Sequence, residues 1–323
     1  PSGVEYGKLV EIGRNVVEQK VKRPAGERVE RWLLKEGLTS AAFAPAMKLG
    51  QLVRPLLPAA LKNKVPPKAA PGAHRWPTRT HARKVLMLAG CVQPTMAPNI
   101  NSATARVLDA AGVQTLVADK AGCCGAIRLH LNDHAGGLDD MRRNIDAWWP
   151  HVESGEVEAI VMNASGCGVT VKDYGHALRL DPAYAEKAKR IGELTRDLSE
   201  LLPALVPALK SKVRRRTVTR LAYHPPCTLQ HGQQLRGGVE QSLVELGFEV
   251  ALPAESHLCC GSAGTYSVLM PEYAYPLRDR KLGHLAELQP QAIVSANIGC
   301  IQHLQSGTET PVRHWIEVID DAL

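Results

Sequence analysis

The chain of 323 residues is 45% hydrophobic and 22% charged, a globular composition that excludes a disordered chain. No apolar run approaches the ~18 residues that a transmembrane helix needs. The net charge of +7 is concentrated at the start, because residues 1–84 carry 17 Lys and Arg against 6 Asp and Glu. Between Glu36 and Asp109 there is no acidic residue, which suggests an anionic partner surface. Two Phe, seven Tyr and five Trp require a mainly aliphatic core and are too few for the stacking platforms of a single-stranded nucleic-acid binder, so no nucleic-acid partner is expected. Pro1 is the first residue and no leader-like apolar region follows, so the chain reads as a fragment or a processed product.

Residues 4–36 predict a helix, with Val4, Leu9, Ile12, Val16 and Val17 at helical spacing and Val29, Trp32, Leu33 and Leu34 continuing it. Residues 38–62 are apolar and basic and are broken by Pro45, Pro55 and Pro58. They read either as a helical hairpin covering the sheet, or as a face for an anionic membrane surface carrying Lys48, Arg54 and Lys62, with Lys64 and Lys68 just beyond. The Pro-rich basic stretch 63–83 is the clearest linker. Strand–helix alternation then begins, with strands over 84–89, 113–117 and 157–162 and helices over 102–111 and 138–152. After a basic stretch at 210–220 the plan repeats, with strands over 219–223, 248–252 and 292–296 and helices over 239–246 and 271–288. The expected fold is α/β: two tandem repeated open domains with mostly parallel sheets, preceded by a helical arm. The expected boundaries are 1–62 for the arm, 63–83 for the linker, 84–212 for the first domain and 213–323 for the second.

All eight cysteines fall into two sets, Cys91, Cys123, Cys124, Cys167 and Cys227, Cys259, Cys260, Cys300. The first gap is 32 positions in both sets, and each doublet continues into glycine, Gly125 or Gly261. The last gaps are 43 and 40, so every cysteine has a counterpart in an internal repeat. Each set follows the ends of three predicted strands. In a parallel sheet those ends share one edge, where open α/β sheets place ligands. Adjacent cysteines pair only in a strained ring, which argues against a simple disulfide, and four convergent thiolates suit a metal group. A [4Fe–4S] cluster, a tetrahedral zinc and buried free thiols stay open as readings; the absence of the Cys-x₂-Cys knuckles favoured by structural zinc puts the cluster first.

The strings VLMLAGCVQPTMAPNINSATARVLDAAG, AGCCGA, NIDAWWP, ASGCG, CTLQH, SHLCCGSAGTY, ANIGC and VRHWIEV resemble the iron–sulfur subunits of glycolate oxidase (glycolate dehydrogenase). These belong to the cysteine-rich CCG proteins related to heterodisulfide reductase. The resemblance covers essentially the whole chain. It implies one [4Fe–4S] cluster per cysteine set, with zinc as the lesser alternative. It implies an oxidoreductase complex in which flavoprotein subunits oxidise glycolate and this chain passes electrons toward a quinone or another acceptor. A cytoplasmic protein is implied, with peripheral contact on the inner face of the cell membrane as an extension. The opening Pro1-Ser2-Gly3 resembles the sequence just after the last cysteine of the family's ferredoxin module, implying two further [4Fe–4S] clusters on a preceding segment. One departure stands out: the heterodisulfide reductase pattern has a fifth cysteine, and the matching positions here are Ala164 and Asn297. Four thiolates per set suit an ordinary cubane and make disulfide reduction doubtful. The rivals are a thiol–disulfide or quinone reductase with its own active site and a zinc-stapled assembly scaffold.

His224, His231, His257 and His303 flank the second cysteine set, either as hydrogen-bonding neighbours of sulfur or, more sharply, as a ligand replacing a thiolate. His314-Trp315, and Trp148-Trp149 at a helix end before Pro150, read as packing. Gly166-x-Gly168 has Val171 where a dinucleotide fingerprint needs its third glycine, and no phosphate-binding Gly-x-x-x-x-Gly-Lys or Gly-x-Ser-x-Gly elbow occurs. No catalytic residue is therefore assigned, and flavin or nicotinamide chemistry belongs to another chain.

Overall fold

A computed structural model describes residues 6–62, 64–214 and 219–323. The Pro1-Ser2-Gly3 run lies outside the described residues. The arm holds α1 (Tyr6–Lys20), α2 (Ala25–Thr39), α3 (Phe43–Val53), a 3₁₀ turn (Arg54–Leu56) and α4 (Ala59–Lys62). The single helix expected over 4–36 is thus two. Pro24 lacks an N–H and takes an extended ψ of 148°, so it starts α2 rather than continuing α1.

The first repeat runs β1 (Arg83–Met87), α5 (Gln93–Met96), α6 (Pro98–Ala110), β2 (Val113–Leu116), α7 (Ala126–His130), α8 (His134–Glu153), β3 (Ala159–Met162), α9 (Ser165–Lys172), α10 (Tyr174–Ala177), α11 (Ala185–Leu194), β4 (Thr195–Asp197) and α12 (Leu198–Lys210). The second runs β5 (Arg220–Tyr223), a π turn (Thr228–Gly232), α13 (Gly238–Glu245), β6 (Glu249–Ala251), α14 (Tyr266–Leu269), α15 (Pro271–Ala286), β7 (Ala292–Ser295), α16 (Ile298–Gln305), β8 (Val312–His314) and α17 (Trp315–Ala322). Both sheets are parallel throughout and share one order, β2-β1-β3-β4 and β6-β5-β7-β8. The inner strands β3 and β7 are buried on both faces, which accounts for their unbroken apolar runs. Each domain has a fourth strand that the three-strand reading omits. β4 (Thr-Arg-Asp) and β8 (Val-Arg-His) are too short and polar to stand out, and each leads directly into a capping box, Asp197 with Glu200 and His314 with Glu317.

The two halves pack as a pseudo-symmetric pair. α6 lies against α17 and α12 against α13; α13 is the counterpart of α6, and α17 that of α12. One apolar core therefore runs through both halves, including Val107, Leu108, Leu202, Leu205, Leu243, Trp315 and Ile319. On the far face of the first sheet a second core gathers Leu86, Ile145, Trp148, Ile160 and Tyr174. The largest fully buried side chains include Trp148, Trp315, Tyr174 and Tyr223, whereas Trp32, Trp76 and Tyr273 stay exposed. α8 does not end before Pro150 but runs through it to Glu153. Residues 73–81 are laid along α6: Ser102 Oγ donates to Ala73 O at 2.5 Å, Arg106 Nη1 to Arg75 O at 2.6 Å, and His81 pairs with Asp109 at 2.8 Å. Among the described residues no helix is long and apolar enough to cross a membrane.

Candidate metal centres

The repeat delivers both cysteine sets to the carboxyl edge of its sheet. Cys91 follows β1 and Cys227 follows β5; the doublets follow β2 and β6; Cys167 and Cys300 sit in the first turns of α9 and α16. All eight sulfurs are free thiols, and Cys123, Cys124, Cys260 and Cys300 are buried. In the first set the thiols neighbour and interact with one another as a series: Cys91 with Cys123, Cys123 with Cys124, and Cys124 with Cys167. The second set repeats it, Cys227 with Cys259, Cys259 with Cys260, and Cys260 with Cys300. The eight residues singled out from the sequence thus come together as two groups of four.

The electrostatics alternate along Cys91, Cys123 and Cys124, and along Cys227, Cys259 and Cys260. Hydrogen bonds from Cys124 and Cys91 hold the Cys123 thiol far below its ordinary range, and the Gly125 amide helps, donating to its Sγ at 3.4 Å. Cys227 and Cys260 do the same for Cys259, with the Gly261 amide 3.3 Å from that sulfur. Their donors Cys91, Cys124, Cys227 and Cys260 are pushed up in turn, foremost by the anionic partner and then by burial. Gly125 and Gly261 reach these positions at φ of 93° and 87°, in the left-handed region. Amides aimed at sulfur and soft thiolate donors on three loops are what a thiophilic, net-anionic metal group requires, so these residues fit one.

The surroundings of the two sets differ. Around the first, Asn144 donates to Cys123 O at 2.7 Å and accepts from Gly122 N at 2.8 Å, and Tyr174 Oη donates to Cys124 O at 2.9 Å. Around the second, the buried Lys281 donates to Glu255 O at 2.6 Å. His224 is fully buried beside Cys260 and Cys300, with its ring nitrogen and the two sulfurs within 4.8 Å of one another. Cys300 is lowered by Cys260 first and, against burial, by His224. Of the other histidines, His231 Nε2 meets His257 O at 3.2 Å, and His303 meets Ala274 O at 3.3 Å and stacks on Tyr275. His314 caps α17, accepting from Ile316 N at 3.1 Å.

Asn297, at the fifth-cysteine position, joins the two halves. Its Nδ2 donates to Cys300 Sγ at 3.6 Å, and its Oδ1 accepts from Gly166 N, next to Cys167, at 3.3 Å. Ser165 N donates to Ala296 O at 3.0 Å, and Ser165 Oγ meets Thr228 Oγ1 at 2.7 Å. Ala164, the counterpart in the first half, is buried and offers no donor. The role of Asn297 at this junction was not legible in the sequence, because it depends on the packing of the two halves.

The arm closes over the first set's edge rather than over the sheet. α2 reaches α7 through Arg128, which binds Glu36 Oε2 at 3.0 Å, and Lys35 meets Asp133 at 3.2 Å. α3 reaches α5 through Gln51 Nε2, 3.3 Å from Thr95 O. The outer side keeps Leu49, Leu52, Leu56 and Leu61 exposed.

Comparison with known proteins agrees with this plan. A family model described as a cysteine-rich domain (CCG) matches residues 85–172 and 221–305. The glycolate oxidase iron–sulfur subunit of Escherichia coli strain K12 is 50% identical over 328 aligned residues, covering 100% of this chain and 78% of that protein. The probable glycolate oxidase iron–sulfur subunit of Bacillus subtilis strain 168 is 27% identical over 340 residues, 96% of this chain and 74% of the relative. Lactate utilization protein A of Geobacillus thermodenitrificans is 25% identical over 246 residues, 73% of this chain and 98% of its own length. Matched along its whole length and in both repeats, the chain belongs to the family of glycolate oxidase iron–sulfur subunits, built on paired cysteine-rich CCG domains.

Proposed function

We propose that this chain is the electron-transfer subunit of a glycolate-oxidising complex, with one [4Fe–4S] cluster held by Cys91, Cys123, Cys124 and Cys167 and another by Cys227, Cys259, Cys260 and Cys300. The observation that carries the reading is the convergence of four thiols on one sheet edge in both repeats. A bound cluster supplies a one-electron carrier whose charge is spread over several atoms. The chain's own residues anchor that charge. The Gly125 and Gly261 amides point at sulfur, and burial keeps water from Cys124 and Cys260. Asn297 ties the two edges together, its carboxamide running from Gly166 N–H to Cys300 Sγ. A flavoprotein subunit oxidises the substrate, and the electrons leave toward a quinone. The basic arm, with Leu49, Leu52 and Leu56 outward, meets the anionic inner face of the cell membrane.

The test is Cys124→Ser and Cys260→Ser in the intact complex. Serine is a harder and far less acidic ligand, so each variant loses its cluster or shifts its potential. Turnover with a dye that takes electrons at the flavin is expected to survive while turnover with a quinone falls at least tenfold. Full quinone turnover in both variants would remove the centres from the electron path and leave an assembly scaffold.

A further inference from the structure

We propose that His224 is a nitrogen ligand of the metal group at the second cysteine set, which makes the two centres chemically different. The inference rests on the reading above that the thiols hold metal groups.

The main chain of His224 is fully engaged. It extends β5, donating from its N–H to Val294 O at 2.8 Å, and its carbonyl accepts from Ser295 Oγ at 2.9 Å. The ring is therefore delivered to the cysteine edge by a fixed backbone. It has 0% exposure, and neither Nδ1 nor Nε2 reaches a partner at hydrogen-bond distance among the described residues, the sulfurs of Cys260 and Cys300 being its polar neighbours. Leaving a buried polar atom unmatched is costly, and an imidazole with both nitrogens unmatched is a poor choice for mere packing. A metal group removes that cost for the ligating nitrogen. The nitrogen and the sulfurs of Cys260 and Cys300 lie within 4.8 Å of one another, close enough to serve one metal group.

The internal repeat supplies the control. The counterpart of His224, three positions before the first cysteine, is Leu88, which donates to Val161 O as His224 does to Val294 O. The counterpart of Ser295 is Met162. The same strand ends carry an imidazole and a hydroxyl in the second half and two apolar side chains in the first. A fold that tolerates Leu and Met here does not need His and Ser for packing. The pair belongs to the second centre's chemistry. A neutral imidazole adds a fifth donor to this set without adding negative charge, so the two centres differ in ligation and therefore in potential.

The experiment uses the full chain purified without oxygen, grown with natural-abundance or ¹⁵N-labelled histidine, reduced, and examined by electron–nuclear hyperfine spectroscopy. Iron and acid-labile sulfide are measured on the same samples. The expected result is a strong hyperfine coupling from a directly bound nitrogen that changes with histidine labelling. It disappears in His224→Leu and His224→Gln, together with a shifted potential for one centre, and is untouched in Leu88→Met. The unsubstituted chain alone decides the matter if a variant fails to fold. Iron and sulfide without a histidine coupling, or a coupling that persists in the His224 variants, overturns this inference and leaves the electron-transfer reading standing. Absence of iron and sulfide overturns both.

Discussion

Replacing Gly261 by alanine asks how tightly the second doublet is held. Gly261 sits at φ 87°, where a side chain costs about 1–2 kcal/mol. The added methyl would also collide with Ala274 O, lie 3.1 Å from the carbonyl carbon of Ala274 and 3.2 Å from Leu277 Cβ. These atoms belong to α15, whose backbone cannot swing aside as a flexible side chain would. Overpacking of this kind costs a further ~1–3 kcal/mol, giving a total of about 2–5 kcal/mol. Gly155 is the internal reference: its φ is also positive, at 69°, but a methyl there meets nothing within 4 Å. Gly155→Ala is expected to cost only the backbone part, about 1–2 kcal/mol. Gly125→Ala lies between them, with its methyl 2.8 Å from Gly137 O and 3.5 Å from Met141 Cγ. Urea unfolding of the three variants and the parent, prepared anaerobically with metal content measured alongside, gives the ranking. Equal destabilisation of Gly155→Ala and Gly261→Ala would refute the reasoning, since the close approach of α15 would then contribute nothing.

Three further outcomes follow from the geometry. His314 is buried, and its pKa falls from 6.5 to about 3 through desolvation. The unfolded chain therefore binds the extra proton between those values, and this residue's share of stability, complete above pH 6.5, drops by about 1.4 kcal/mol per unit as the pH falls. His314→Asn keeps an acceptor for Ile316 N–H and should flatten the acid limb of stability by one proton; an unchanged slope would count against it. Arg106 grips Asp320 at 2.8 and 2.6 Å across the junction of the halves, so Arg106→Leu should lower stability by about 1–3 kcal/mol in urea unfolding. An unchanged midpoint would mean that the pair contributes nothing. Replacing Lys48, Lys62 and Lys68 together by Glu should weaken co-sedimentation with anionic-lipid vesicles at least tenfold, with no change on neutral vesicles. Equal binding of parent and variant to anionic vesicles would exclude the arm as a membrane contact.

The sheet architecture was legible because the strands that matter are buried runs such as Val85-Leu86-Met87 and Ala292-Ile293-Val294, and because the cysteine repeat marks their ends. β4 and β8 escaped for the opposite reason. Three polar-rich residues carry no periodicity, and the legible signal was the capping box that follows each one, Asp197 to Glu200 and His314 to Glu317. The break at Pro24 was readable from proline chemistry alone and was overrun by the apolar spacing on either side of it. The asymmetry between the centres was half visible. His224 stood out beside Cys227, but its complete burial and unmatched ring depend on Ser295 and Cys300, some 70 positions away along the chain.

The crossed packing of α6 on α17 and α12 on α13 has a consequence for biosynthesis. During translation the first half emerges with the apolar sides of α6 and α12 bare, and the helices that cover them, α17 and α13, belong to the second half. α17 begins about 200 residues after α6 ends, so α6 waits for the whole second half. A nascent first half is therefore a sticky intermediate whose exposed stripe, Val107 and Leu108 with Leu202 and Leu205, invites pairing with the same stripe on another nascent chain. Because the two halves are built alike, such a mispaired dimer would closely imitate the native junction. Delivery of metal to the first set before release would order the loops around Cys91, Cys123 and Cys167 but leave that stripe uncovered. Protection during synthesis must come from a chaperone or from rapid completion of the second half, and slowing the ribosome between the repeats is the perturbation to which yield should be most sensitive.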